Sequence, residues 1–171
     1  EPGANVVVFG LGGIGLNVIQ GARLAGANMI IGVDINPGRR ALAEKFGATA
    51  VADASKDDPV AVFEREAGGP PDVIFECVGV PGLLQQLIDG APLLSRVVVA
   101  GVCMQADRIE PAVAIHKEID LRFVFGHSPL EFRDTLHMIA DGRVNCAALV
   151  TGVVGLDGVA GTCQYGQPPP S

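Results

Sequence analysis

Apolar and polar positions along this chain follow two rhythms. Short runs are apolar on both faces, and between them lie longer stretches with helical spacing. Val6-Val7-Val8-Phe9 is the first run, four apolar residues of which three are β-branched, and it reads as a buried strand. A helical pattern follows, with Ile14, Val18, Ala22 and Ala25 falling on one face. Met29-Ile30-Ile31-Gly32-Val33 is a second strand. A helix from Arg39 to Phe46 has Pro37 in its first turn and Gly47 just past its end. Thr49 to Val51 gives a short third strand, and Pro59 to Ala67 a helix closed by Gly68-Gly69-Pro70-Pro71.

Asp72 to Gly79 forms the fourth strand and its exit. Pro81-Gly82 opens a helix through Ile88, and Arg96 to Ala100 is the fifth strand. The pattern from Val102 to Lys117 is mixed and assigns no element. Asp120 to Phe125 reads as a sixth strand, and Pro129 to Ala140 as a helix stopped by Asp141-Gly142. Leu149 to Val154 suits a short extension, and Leu156 to Val159 a helix start. The stretch from Thr162 to Ser171, with three consecutive prolines, is expected to be irregular or disordered.

Strands and helices alternate, and several strands are apolar on both faces. This pattern predicts an α/β fold with a parallel sheet covered by helices on both sides. Right-handed crossovers then give a doubly wound six-stranded sheet of order 3-2-1-4-5-6. Ligand is expected across the carboxyl ends of strands 1 and 4, where the winding reverses. Gly10–Gly15, Glu76–Gly79 and Ala100–Val102 all occupy strand ends of that kind.

The first of these segments carries the candidate chemistry. Gly10-Leu11-Gly12-Gly13-Ile14-Gly15 has the spacing G-x-G-x-x-G between a strand and a helix. Gly10 lets the chain turn sharply, Gly12 leaves the backbone open to a pyrophosphate, and Gly15 lets the helix pack tightly on the strand. The helix N-terminus offers unpaired N–H groups to the phosphates. Asp34 ends the second strand, 19 residues past Gly15, where a carboxylate accepts hydrogen bonds from an adenosine ribose. A lone glycine motif is weak; strand, turn, helix, strand and acid together predict a dinucleotide site.

Composition narrows the class. With 171 residues, 49% hydrophobic and 18% charged, the chain is large enough for a real core and is expected to be globular. One domain over 1–160 and a tail over 161–171 account for the pattern. The net charge of −7 argues against a nucleic-acid surface or an anionic membrane as partner. No apolar run is long enough to span a bilayer. The start Glu1-Pro2-Gly3 runs almost directly into a strand, so no signal peptide is expected and the chain reads as a piece of a longer one. Cys77, Cys103, Cys146 and Cys163 are widely spread without a C-x-x-C pair, unlike a zinc site, and suit free thiols in a reducing, cytoplasmic compartment.

These residues resemble the coenzyme-binding Rossmann domain of the zinc-containing, medium-chain alcohol dehydrogenases. The resemblance rests on Gly10 to Gly15, Gly32-Val33-Asp34-Ile35-Asn36, Glu44 to Thr49, Phe75-Glu76-Cys77-Val78-Gly79 and Leu149-Val150-Thr151-Gly152, and it covers about residues 5–160. It implies that the pyrophosphate meets Gly10, Leu11, Gly12, Gly13, Ile14 and Gly15. Asp34 would bind the ribose and favour NAD over NADP. Arg39 would lie near the adenosine ribose and phosphate, Cys77 and Val78 would contact the cofactor after strand 4, and Ala100, Gly101 and Val102 would meet the nicotinamide. A looser alignment brings Phe123 to Phe125 to the carboxamide. The family's zinc ligands and proton relay lie mainly in a GroES-like catalytic domain that this chain lacks. There a zinc ion would polarise the alcohol oxygen, and the chain alone should not turn over alcohol. The family's usual association through coenzyme domains implies a homodimer or higher oligomer using the region from Val102 to Phe125.

Plainer roles stand beside these. Asp34 suits a helix N-cap, Arg39 and Arg40 a solvated first turn, and Glu76 a buried structural acid. Cys77 suits a small residue against the cofactor rather than a reactive thiol. His116, His127 and His137 are isolated; His127, after strand 6, lies nearest the expected nicotinamide end. Two rival functions use the same fold: a nucleotide-sensing module without catalysis, and an S-adenosylmethionine-dependent methyltransferase-like domain.

Overall fold

The computed structural model describes residues 2–57, 62, 65–66 and 69–159. Its strands are β1 (Asn5–Phe9), β2 (Met29–Val33), β3 (Ala50–Ala52), β4 (Val73–Glu76), β5 (Arg96–Val99) and β6 (Asp120–Phe123). All pair in parallel in the order β3-β2-β1-β4-β5-β6, the doubly wound arrangement expected from the alternation. The register makes the strand ends level: Phe9 pairs with Val33 and Glu76, Glu76 with Val99, and Val99 with Phe123. The exits of five strands therefore open onto one edge of the sheet.

Alternation within β1 divides the core between the two faces. Val6 and Val8 point into a cluster with Leu11, Leu16, Ile19, Ile30, Ala43 and Phe46. This cluster is covered by α1 (Gly13–Leu24) and α2 (Pro37–Phe46). Val7 packs on the opposite face with Ile31, Val33, Ala52 and Val62. Farther along, Ile74, Val97 and Val99 meet Leu84, Leu87 and Ile88 of α3 (Leu83–Gly90).

Several boundaries differ from the pattern for identifiable reasons. The face of α1 that meets the sheet is Gly15, Leu16, Ile19 and Gln20, not the expected row of Ile14, Val18, Ala22 and Ala25. Val18 and Ala22 are half-buried, while Ile14 and Ala25 are exposed. Gly15 is the position with no side chain, so it faces the strand and fixes the helix's rotation. α2 starts at Pro37 because the side chain of Asn36 accepts the N–H groups of Gly38 and Arg39, at 2.9 and 3.1 Å. Gly47 closes it in the left-handed region with φ +108°. The exits expected to extend β4, β5 and β6 leave the ladder at Glu76, Val99 and Phe123.

The unassigned stretch holds a short helix, α4 (Pro111–His116). α5 (Pro129–Ala140) has the expected bounds, set by reciprocal bonds between Ser128 and Glu131. The extension expected at Leu149 to Val154 is instead a 3-10 turn, Ala147–Leu149, followed by irregular chain. Gln20 latches this segment to α1: its Oε1 accepts the Asn145 N–H at 2.7 Å, and its Nε2 donates to the Asn145 carbonyl at 3.3 Å. A second 3-10 turn, Leu156–Gly158, replaces the expected helix start. Most of the helix expected over Pro59 to Ala67, and the whole tail from Thr162 to Ser171, lie outside the described residues.

Candidate dinucleotide-binding site

The turn from β1 into α1 is built by three glycines under three different constraints. Gly10 has φ +87°, and a Cβ there would come within 2.6 Å of Val78 Cγ2. At Gly15 a Cβ would lie 1.8 Å from the Gly10 carbonyl oxygen, so helix and turn touch backbone to backbone. Gly12 is the opposite case, because a Cβ there meets nothing within 4 Å. Gly12 is also the N-cap of α1, with no side-chain cap and no acid in the first turn. The first-turn amides thus lack the partner that a capping side chain supplies, and the helix's positive end opens beside bare backbone.

Asp34 follows β2 and is buried, with 7% of its surface exposed. Its Oδ2 accepts the Leu11 N–H at 2.8 Å, and its Oδ1 accepts the Asn36 N–H at 2.8 Å. The first bond ties the carboxylate directly to the glycine turn. The cap of α2 is Asn36, which removes the plain N-cap reading of Asp34. Arg39 Nη1 stands 3.6 Å from Asp34 Oδ2 on a largely exposed side chain. Arg40, grouped with it in sequence, is more buried and structural. It donates to the Asp34 carbonyl at 2.7 Å and pairs with Asp53 Oδ2 at 3.1 Å. Hydrogen bonds from Ser55 are the main reason the Asp53 carboxyl lies below its ordinary range, with the charges of Arg40 and Lys56 adding to them.

Two cavities lie along the carboxyl edge. The first is lined by Gly10, Gly12, Asp34, Arg39, Cys77 and Val78, among others. The second is lined by Glu76, Gly79, Gly101, Val102, Asp107 and Phe123, among others. Leu11 is fully buried and reaches the site through its N–H; Gly15 backs the turn; Gly13 and Ile14 form the exposed first turn of α1. Ala100 lines neither cavity, and its N–H donates to the Glu76 carbonyl at 2.8 Å.

Burial is the main cause that pushes the Cys77 thiol up to about 12, and the Glu76 charge adds to it. The thiol thus stays protonated near neutral pH, which favours the reading of Cys77 as a small wall residue over a reactive thiol. His127 stacks on Phe132 with ring centroids 5.4 Å apart, and none of the histidines lines either cavity. Among the described residues no group of three His, Cys, Asp or Glu comes together to hold a metal ion. Sequence reasoning missed the Arg40–Asp53 pair and the work of the Glu76 side chain. The one available signal was an acid closing a strand immediately before Cys77-Val78-Gly79.

Residues 13–141 match the family described as zinc-binding dehydrogenase. The (R,R)-butanediol dehydrogenase of Bacillus subtilis is 34% identical over 157 residues, 92% of this chain and 45% of that protein. The crystal structure of 2R,3R-butanediol dehydrogenase from the same species superposes with a TM-score of 0.77 at 34% identity, over 88% of this chain and 43% of that one. A Sinorhizobium meliloti protein described as a zinc-binding dehydrogenase, solved bound to NADP, gives a TM-score of 0.77 at 33% identity, over 88% of this chain and 45% of that one. The chain thus spans less than half the length of each of these relatives.

Proposed function

The chain belongs to the zinc-binding dehydrogenase family, and from that premise we propose that residues 1–160 are the NAD(H)-binding half of an alcohol or polyol dehydrogenase. The observation that carries the reading is the 2.8 Å bond from the Leu11 N–H to Asp34 Oδ2. It holds a buried carboxylate beside the open backbone of Gly12, in the same crevice. A carboxylate has about four acceptor positions, and the two backbone N–H groups leave room for the hydroxyls of a ribose.

In this reading the diphosphate lies against the first turn of α1 at Gly12, Gly13 and Ile14, where the amides and the helix dipole meet its charge. Asp34 takes the adenosine ribose and repels a 2′-phosphate, which favours NAD over NADP. Arg39 is paired with that acid and borders the same crevice. Cys77 and Val78 form the wall of the adenosine side; Gly101 and Val102 form the floor at the nicotinamide, with Ala100 behind them. Bound NAD supplies a hydride acceptor at nicotinamide C4. The residues of this chain bind and orient it.

In this reading the metal and the alcohol belong to the other half of the intact enzyme, which leaves this chain the cofactor half of the reaction. β6 is an edge strand ending at exposed Phe123 and followed by exposed Val124, which supports pairing with a second copy in a homodimer. Among the described residues no helix is long and apolar enough to cross a membrane. A cytoplasmic location and the absence of nucleic-acid partners stay with the cysteine pattern and the acidic charge.

Calorimetric titration of the purified chain with NADH, NADPH and S-adenosylmethionine tests the cofactor. The reading expects NADH to bind most tightly. Preference for S-adenosylmethionine, or no binding of either nicotinamide dinucleotide, overturns it. A cysteine- and histidine-bearing β domain encoded upstream of Glu1 separates a dehydrogenase from a nucleotide-sensing module.

A further inference from the structure

Glu76 ends β4 as a buried acid with 3% of its surface exposed, and among the described residues no basic side chain pairs with it. Its Oε1 accepts two consecutive backbone amides of the β4 exit, Val78 N–H at 2.7 Å and Gly79 N–H at 2.8 Å. Its backbone carbonyl accepts two more from the β5 exit, Ala100 N–H at 2.8 Å and Gly101 N–H at 2.9 Å. One residue therefore holds four amides belonging to two separate loops.

The loops are pressed together without side chains between them. A Cβ on Gly101 would stand 2.5 Å from the Gly79 nitrogen and 2.6 Å from Glu76 Oε2. A Cβ on Gly79, where φ is +75°, would stand 2.8 Å from the backbone of Val102. Val78 projects from the same turn against Gly10 on the opposite side. The turn Cys77–Gly79 is thus the partition between the two cavities, with Cys77 and Val78 on the first and Gly79 on the second.

We propose that Glu76 is a positioning residue: its side chain folds the β4 exit over onto the β5 exit, and so sets the floor on which the nicotinamide end of the cofactor lies. This inference rests on the cofactor reading above. The adenosine end depends mainly on Gly12 and Asp34, to which Glu76 makes no hydrogen bond, and meets Glu76 only through the Val78 wall whose N–H it holds. The nicotinamide end depends on two loops that Glu76 joins. What the turn needs from this side chain is an acceptor oxygen at the right reach, not a negative charge. Glutamine supplies the oxygen, and its amide nitrogen takes the place of Oε2, beside the second cavity that Glu76 borders.

The test compares NADH with ADP-ribose, which lacks the nicotinamide, by calorimetry on the purified 171-residue chain. Nicotinamide fluorescence of bound NADH is followed in parallel. Glu76→Ala is expected to weaken NADH about tenfold, while ADP-ribose changes by less than about threefold. Its bound-NADH fluorescence should shift toward that of free NADH, and Glu76→Gln should restore both readouts. Should the alanine variant not fold, Gly79→Ala separates the same loops from the other side and must show the same selective loss. Equal weakening of both ligands, or failure of Glu76→Gln to rescue, overturns the positioning role. If the unsubstituted chain binds ADP-ribose but Glu76→Ala binds NADH unchanged, the cofactor reading stands and this inference falls. If the unsubstituted chain binds neither ligand, both fall.

Discussion

Gly12→Val separates the needs of the fold from the needs of the ligand at a single atom. Gly12 has φ −77° and ψ −166°, an extended conformation that valine adopts readily, and a Cβ there meets nothing within 4 Å. The fold loses only the difference between glycine and valine as an N-cap, about 1 kcal/mol. For a domain of this size that lowers the melting temperature by about 2–4 °C. The side chain would fill the space proposed for the diphosphate. Losing two charge-assisted N–H contacts at about 1.5 kcal/mol or more each weakens NADH by more than about 100-fold. Gly15→Ala is the control, since its Cβ would fall 1.8 Å from the Gly10 carbonyl oxygen and must displace backbone. It should cost more than about 3 kcal/mol of stability. Circular dichroism melts report the fold, and titration with NADH reports the site. A well-folded Gly12→Val protein that binds NADH within about threefold of the parent would refute the placement of the diphosphate. One that melts as low as Gly15→Ala would refute the claim that the space is empty.

Other outcomes follow from the same geometry. Asp34→Ala should weaken NADH more than NADPH in parallel titrations, because the carboxylate repels a 2′-phosphate. It should also lower stability by about 1–3 kcal/mol, since the Leu11 and Asn36 amides lose their acceptor; equal losses for the two cofactors would end the ribose assignment. Cys77 should resist iodoacetamide at pH 8 until the chain unfolds, as followed by mass spectrometry. Its folded thiol is raised from 9.0 to about 12, so its contribution to stability is complete below pH 9 and is lost as pH rises toward 12. Cys77→Ala should flatten that alkaline decline in denaturant titrations. Leu94 carries φ +63° on an exposed side chain, so Leu94→Gly should raise stability by about 1 kcal/mol in a urea melt.

The sequence by itself determined the sheet. β-branched runs without a polar face can be buried only between two layers of helices, and right-handed crossovers reduce the strand orders to a few, of which the strand, glycine turn, helix, strand and acid pattern selects 3-2-1-4-5-6. It also placed Gly10 and Asp34 at strand ends and Gly12 and Gly15 at the start of the following helix, because these positions are set by short separations along the chain. What it left open depends on contacts between distant segments. The rotation of α1 was settled by Gly15 resting on the Gly10 carbonyl, so Leu16 and Ile19 face inward and Ile14 outward. Arg39 and Arg40 are neighbours in sequence and differ in role because Asp53, just past the end of β3, and the Asp34 carbonyl hold Arg40, while Arg39 stays largely exposed beside the Asp34 carboxylate. Glu76 was legible as a buried acid. That its two ends hold the exits of β4 and β5 together follows only from the parallel register that brings Val99 beside it. Periodicity reports which face of an element is apolar, whereas the partner of a buried polar atom is fixed by the tertiary fold.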